Sequence, residues 1–375
     1  MTASRSFKWT LRVLGITVCV AVVTVAAIFA IAYESEAVQD TIVHRVLIHL
    51  LDRNRADLFR DDALRAIVCG SGTPQPSPKA AKACIAVIAG GKMYIVDTGA
   101  GSSSNLANWR LPTERLAGVF ITHFHSDHFG DLGELNMQSW NFGRAAPLQV
   151  YGPPGVEQVV AGLSKAYALD QNYRSANHGV AIMALANGNM EAHTVVMPPP
   201  DNGALDRTTR VLDDGDLRIT AVEVNHKPVV PAYAYRFDYK GRSIVISGDA
   251  AFHPPLAKAA EGADVLFHEA QAQHMLKILQ QTTAEVGQTR LSTIVADVQR
   301  YHSTTLQAAE IANVAHVKLL AIYHADPPIL NPLLERIFSR GIESVRHGDW
   351  LISKDGTIVE LPLENDQIHI GSIGN

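Results

Sequence analysis

Three cysteines among 375 residues are too few for a disulfide framework, and none stands in a C-x-x-C pair. Zinc ribbons and thioredoxin-like redox sites are therefore excluded. Charge is sparse as well: Asp, Glu, Lys and Arg make up 18% of the chain, and 32 basic residues face 37 acidic ones. A net charge of -5 offers no overall attraction to a phosphate backbone, so nucleic acid is not expected as a partner. A Gly-rich phosphate loop and any repeat period are also missing. What the chain does have is apolar content. With 47% hydrophobic residues it can bury a sizeable core, which excludes a disordered tail and predicts one large domain or two small ones. The unusual count is sixteen histidines.

Residues 13–32, VLGITVCVAVVTVAAIFAIA, form an uncharged apolar run long enough to cross a bilayer core of roughly 30 Å as a helix. Arg5, Lys8 and Arg12 precede it, and Glu34 and Glu36 follow. The positive-inside rule then keeps residues 1–12 cytoplasmic, makes 13–33 a membrane anchor, and places the rest on the periplasmic or extracellular face. Cleavage after the Ala30-Ile31-Ala32 triplet is the alternative and would release a secreted protein, although the run exceeds the usual apolar core of a signal peptide, about 7 to 15 residues. In an oxidising compartment Cys69 and Cys84 could pair; two buried free thiols remain equally open.

Val43, Val46, Leu47, Leu50 and Leu51 recur at helical spacing, so residues 34–65 read as a helical stalk and linker leading to a domain at 66–375. That domain opens with apolar runs typical of strands: Ala66 to Cys69, CIAVIA and MYIVD, then LAGVFIT, LQVYGP, LRITAVEV, YAYRFDY and SIVISGD. Helices are expected at 155–168, 254–261, 304–315 and 331–339, and LISKDGTIVEL reads as a terminal hairpin around Asp355 and Gly356. Strands outnumber what a doubly wound fold needs. Two packed β-sheets with helices outside, an α/β class of αββα type, suit this order.

THFHSDHFGD, residues 122–131, follows an apolar strand and holds His123, His125, Asp127 and His128 within six residues. On an extended backbone His123 and His125 point to one side, and a turn after them can bring Asp127 and His128 inward. Imidazoles with a carboxylate suit zinc at about 2.0 to 2.2 Å, whereas magnesium prefers oxygen ligands alone. This run resembles the metal motif of the metallo-β-lactamase-fold hydrolases, and further matches occur in order: Asp97 in VDTGAG, His226 in VNHKP, Asp249 in ISGDA and His324 in AIYHADP. The resemblance covers approximately residues 66–360. It implies one zinc on His123, His125 and His226, a second on Asp127, His128 and His324, and Asp249 bridging both, with Asp97 supporting them without ligation. Manganese or iron are the alternative metals.

SGDAAFHPPL, LFHEAQ and YHSTTLQAA narrow the resemblance to the branch holding zinc-dependent arylsulfatases and tRNA 3′-processing endonucleases of the ribonuclease Z type. There His302 of the HST motif contacts the scissile group or protonates the leaving oxygen; its alternative role is to flank a helix capped by Ser303 or Thr304. Glu269 either orients a histidine or ends a strand. His178, His253, His268 and His274 receive no role. Residues 156–194 contain only Lys165 and Arg174 as basic side chains, where the tRNA enzymes usually carry a basic arm. AYALDQNYR could wall a small-molecule pocket instead. The expectation is therefore an exported, membrane-anchored dinuclear zinc hydrolase, arylsulfatase-like, in which a metal-activated hydroxide attacks a sulfate or phosphate ester and Asp127 orients the nucleophile. The substrate would be a small aryl or alkyl ester, with homodimerisation left open. A tRNA-processing phosphodiesterase, and a non-catalytic membrane-tethered platform that binds metal, are the alternatives; the HST motif argues against a β-lactamase.

Overall fold

In the computed structural model, which describes residues 3–51, 55–200 and 207–373, the chain divides into two units, Met1–Asn54 and Arg55–Asn375. The first holds helices α1 (Ala3–Glu34) and α2 (Glu36–Leu51). Within α1, Val13–Glu34 is long and apolar enough to cross a membrane, and none of its apolar window is buried by protein. Its two threonine hydroxyls, on Thr17 and Thr24, return to the carbonyls of Val13 and Val20, so they leave no polar group unpaired. The helical stalk ends with α2, and the second unit begins earlier than the expected domain start at residue 66.

That second unit is built on two sheets. The first has eight strands: β1 (Ala63–Gly70), β2 (Cys84–Ala89), β3 (Lys92–Val96), β4 (Leu116–Phe120), β5 (Leu148–Gly152), β6 (Met190–Thr194), β14 (Thr357–Pro362) and β15 (His369–Ser372), in spatial order β15-β14-β1-β2-β3-β4-β5-β6. The second has seven: β7 (Thr208–Asp214), β8 (Leu217–His226), β9 (Val229–Tyr239), β10 (Arg242–Ile246), β11 (Val265–Gln271), β12 (Leu319–Asp326) and β13 (Asp349–Ile352), in order β13-β12-β11-β10-β9-β8-β7.

Both faces of the central strands are covered, which is why they read as unbroken apolar runs. On β1 alternate residues divide between two cores: Leu64, Ala66 and Val68 face the space between the sheets with Phe120, Tyr235 and Phe267, whereas Ile67 and Cys69 face outward. Helices α3 (Ser102–Asn108), α5 (Leu132–Asn141) and α6 (Val156–His178) lie on the first sheet's side, and α8 (Pro255–Ala259), α11 (Thr305–Val314) and α13 (Ile342–Val345) on the second's. This is the expected αββα sandwich. Cys69 and Cys84, at facing ends of β1 and β2, form a disulfide with Cα atoms 4.9 Å apart.

Several local expectations differ. The strands on either side of Asp355 and Gly356 are not a hairpin: β13 joins the second sheet parallel to β12, and β14 crosses to the first sheet antiparallel to β1. Asp355 pins that crossover by accepting N–H groups from Ser71 and Ala81 and the side-chain amide of Asn105. Helix α6 runs to His178, well past 168, and packs Tyr167 against Trp140 and Met183. Edge strands β6 and β7 and the helices α9 (Gln273–Glu285) and α10 (Thr289–Val298) escaped the apolar pattern.

In the central parallel strands the carboxyl ends converge on one rim, the place where open α/β sheets bind ligands. Strands β3, β4, β10, β11 and β12 all end there, beside the end of antiparallel β8.

Candidate metal centre

Each polar side chain at this rim is set by a strand end. β3 delivers Asp97, β4 leads into His123, His125 and the short helix α4 (Ser126–Phe129) carrying Asp127 and His128, β8 ends on His226, and β10 leads to Asp249. His324 is the extra residue of a β-bulge: Glu269 pairs with Tyr323 and Ala270 with Ala325, so His324 has no cross-strand partner and adopts a φ of 48°. A bulge of this kind re-aims one side chain. Gly99 lets the turn after β3 touch the Asp127 loop, since a Cβ there would lie 2.2 Å from the Asp127 carbonyl oxygen.

The seven side chains anticipated as ligands come together in two groups, His123, His125, His226 and Asp249, and Asp127, His128 and His324. All but His125 are buried. Within the first group His226 Nε2 lies 3.4 Å from His125 Nδ1, and across the groups His128 Nε2 lies 3.4 Å from Asp249 Oδ2 and His324 Nδ1 3.5 Å from Asp249 Oδ1. Ligands about 2.1 Å from a tetrahedral ion stand about 3.4 Å apart, so these spacings fit a metal shell. Three of the atoms, His128 Nε2, Asp249 Oδ1 and His324 Nδ1, are buried without a hydrogen-bond partner. Orphaned acceptors are costly in a protein interior, and a divalent ion is a group that would satisfy all three.

Supporting contacts fix these side chains. Asp97 accepts the N–H and hydroxyl of Thr122 and faces His128 Nδ1 at 2.7 Å, which leaves Nε2 aimed at the centre. His226 Nδ1 faces the backbone carbonyl of Tyr301 at 3.0 Å in the same way. Burial pulls His123, His125 and His226 below the ordinary histidine range, the neutral state that coordinates. Burial also opposes charge on Asp249, but His324 and His128 overcome it and hold that carboxylate well below its usual range. On Asp127 burial is likewise outweighed, by His324 and His128.

His302 stands next to the centre, its Nδ1 3.9 Å from Asp249 and 3.2 Å from Glu269 Oε1. Burial disfavours its charge, yet Glu269, then Asp249, raise it to about 9. Glu269 also accepts the N–H of Ser303 and of Ala250, so it orients the HST segment besides ending no strand: β11 continues to Gln271. The capping reading of the segment holds for Thr304, which caps α11 through a capping box with Gln307 and leaves His302 two residues ahead of it. Of the unassigned histidines, His268 and His274 bond backbone carbonyls, and neither they nor His178 and His253 join the centre. No residue pattern singled out Thr122, or Lys227, Arg300 and Tyr301, which line a cavity of about 430 Å³ with His125 and His226. The aromatic stretch of α6 does not line it.

Residues 93–325 match the Beta-lactamase superfamily domain. The chain belongs to the metallo-β-lactamase-fold hydrolase family. It is a metal-dependent hydrolase of ester bonds. A ribonuclease Z of Mycobacterium marinum is 32% identical over 264 residues, spanning 70% of this chain and 86% of the relative. Among solved structures, a metallo-β-lactamase-fold protein from Bacillus subtilis superposes with a TM-score of 0.57 at 21% identity, covering 80% of this hydrolase and 100% of that chain. The short form of human tRNase Z does so at 0.54 and 20% identity, covering 80% and 99%.

The ribonuclease Z relatives correct two expectations for this hydrolase, a small-molecule aryl or alkyl ester as substrate and the exclusion of nucleic acid. The charge argument failed for a physical reason. A net charge summed over the chain does not say where charges sit: carboxylates and arginines alike are buried, while Lys227 and Arg300 stand at the cavity beside the centre.

Proposed function

We propose that this hydrolase cleaves phosphodiester bonds of RNA with two divalent ions, zinc by preference. His123, His125 and His226 would hold one, Asp127, His128 and His324 the other, with Asp249 shared and Asp97 supporting. Five imidazoles and two carboxylates are a zinc-type donor set, while manganese and iron remain compatible with it. Such an ion pair supplies Lewis acidity to the group under attack and lowers the pKa of water toward neutrality.

The observation that carries the reading is the placement of His302 beside the centre, where Glu269 and Asp249 favour its protonated form. A ribose oxygen is a poor leaving group and needs a proton as it departs, whereas an aryl oxide needs little help. His302 donates that proton. Glu269 fixes its Nδ1 side, so the donor is Nε2. Asp127, kept ionised, orients the attacking water and accepts its proton. The ribonuclease Z names of the relatives support the same bond class and favour it over an aryl sulfate ester.

The hydrolase is proposed to be tethered by Val13–Glu34, with its catalytic unit outside the cytoplasm, a placement supported by the basic residues before the span and by the Cys69–Cys84 disulfide. The bond class is the claim and a tRNA precursor is the probe. Zinc-loaded full chain is expected to cleave a 3′-extended tRNA precursor with far higher kcat/KM than an aryl sulfate, and His302→Ala to lose about 10²-fold or more on the RNA. Preference for the sulfate would overturn the reading. Protease shaving of intact cells tests the tether: loss of the catalytic unit supports it, and full protection contradicts it.

A further inference from the structure

Beside the metal centre the 430 Å³ cavity has two walls that the chemistry above does not use. One is Tyr301. Its backbone carbonyl holds His226, but the ring is not needed for that contact. The ring lies 5.4 Å from the His226 ring and 4.9 Å from the His302 ring, centroid to centroid, and faces the same cavity. The other wall is the turn after His226, where Lys227 leads into Pro228 and Val229. Lys227 is exposed and makes no ion pair among the described residues. Arg300, also on this rim, is paired with Asp297, so Lys227 is the unneutralised cation.

An aromatic residue and an unpaired lysine on one cavity, which His125 and His226 of the centre also line, match what an unpaired nucleotide offers: a flat base and a phosphate. The volume lies within the range of small-ligand pockets, about 300 to 1,000 Å³. We propose that this cavity is a nucleotide subsite, in which Tyr301 stacks on the base adjoining the scissile phosphate and Lys227 holds the neighbouring phosphate. The subsite rests on the RNA phosphodiesterase reading and adds its substrate grip. Because every base has a π-face, the subsite is tolerant of base identity.

The test uses zinc-loaded full chain and the variants Tyr301→Leu, Tyr301→Phe and Lys227→Ala, on an RNA hairpin with a single-stranded 3′ trailer and on bis(4-nitrophenyl) phosphate. Tyr301→Leu is expected to lower the ratio of kcat/KM on RNA to that on the chromogenic diester about tenfold, and Tyr301→Phe to restore most of it, as stacking without the hydroxyl requires. Lys227→Ala is expected to lower the ratio and flatten the salt dependence of RNA cleavage. Equal losses on both substrates, or no loss, would overturn the subsite. Calorimetric binding of AMP and of inorganic phosphate separates this from the wider reading. Tighter binding of AMP, by about fivefold or more, that Tyr301→Leu abolishes supports the subsite even if wild-type protein leaves RNA intact, an outcome that sinks only the RNA reading. Equal affinity of wild type for the two probes overturns the subsite.

Discussion

One oxygen of Glu269 stands 3.2 Å from Nδ1 of His302 and accepts the backbone N–H of Ser303 at 2.9 Å. A single carboxylate thus sets both the charge and the position of the proposed proton donor. An acid must be protonated to act, so if His302 is the donor, activity is expected to fall as pH rises through its value, raised to about 9. Glu269→Gln removes the charge that raises it. The alkaline limb of the kcat/KM profile on RNA is expected to move to lower pH, on the order of one unit. An unmoved limb would assign the proton to another group.

Gly99 is where a single methyl group should disturb the centre. Its Cβ would meet the Asp127 carbonyl oxygen at 2.2 Å and the Cβ of Lys82 at 2.4 Å. Gly99→Ala is expected to lower zinc per chain and cut activity about tenfold or more. Gly162, in α6, has nothing within 4 Å of such a methyl, so Gly162→Ala should raise stability by about 0.5–1 kcal/mol and leave zinc content alone. Similar zinc loss in both variants would refute the steric account.

Tyr94 gives the catalytic unit an alkaline weakness. Its hydroxyl donates to Asp214 at 2.6 Å, and burial, then that bond, push its pKa above the usual tyrosine value. The unfolded chain releases the phenol proton near pH 10. The stabilising contribution is therefore complete below about pH 10 and is lost as pH rises toward the folded-state value. Tyr94→Phe forgoes a hydrogen bond, about 1 kcal/mol, but should show a smaller drop in denaturation midpoint between pH 8 and pH 11. An equal drop in wild type and variant would remove Tyr94 from the explanation.

Asp355 joins three segments distant in sequence, bonding Ser71, Ala81 and Asn105. Asp355→Ala leaves two backbone N–H groups without this acceptor, and a loss of about 1–3 kcal/mol in denaturant unfolding is expected. A change within experimental error would mean that solvent replaces those bonds.

The contiguous run from His123 to His128 was readable because β4 alternation and a short turn keep its ligands close in sequence. His226, Asp249 and His324 came only from their order in a family pattern, since each is a lone polar residue at a strand end. The bulge that aims His324 leaves no mark in residue types. At Asp355-Gly356 a genuine turn signal misled, because a turn states that the chain bends and not which sheet receives the next strand. Polar edge strands such as β7 lack a second buried face, so no apolar run announces them. Tyr301 and Lys227 each adjoin a motif histidine, but only the fold shows that they share a cavity.

The central claim, a two-ion centre that cleaves RNA, is tested most directly by stripping the full chain with a chelator and returning zinc in measured steps while following cleavage of the 3′-extended precursor. Activity should be absent at the start, rise with added zinc, and level off at two equivalents per chain, with Asp249→Asn unable to reach that plateau. Cleavage that persists in metal-free protein, or that fails to return at any zinc level, would contradict the account.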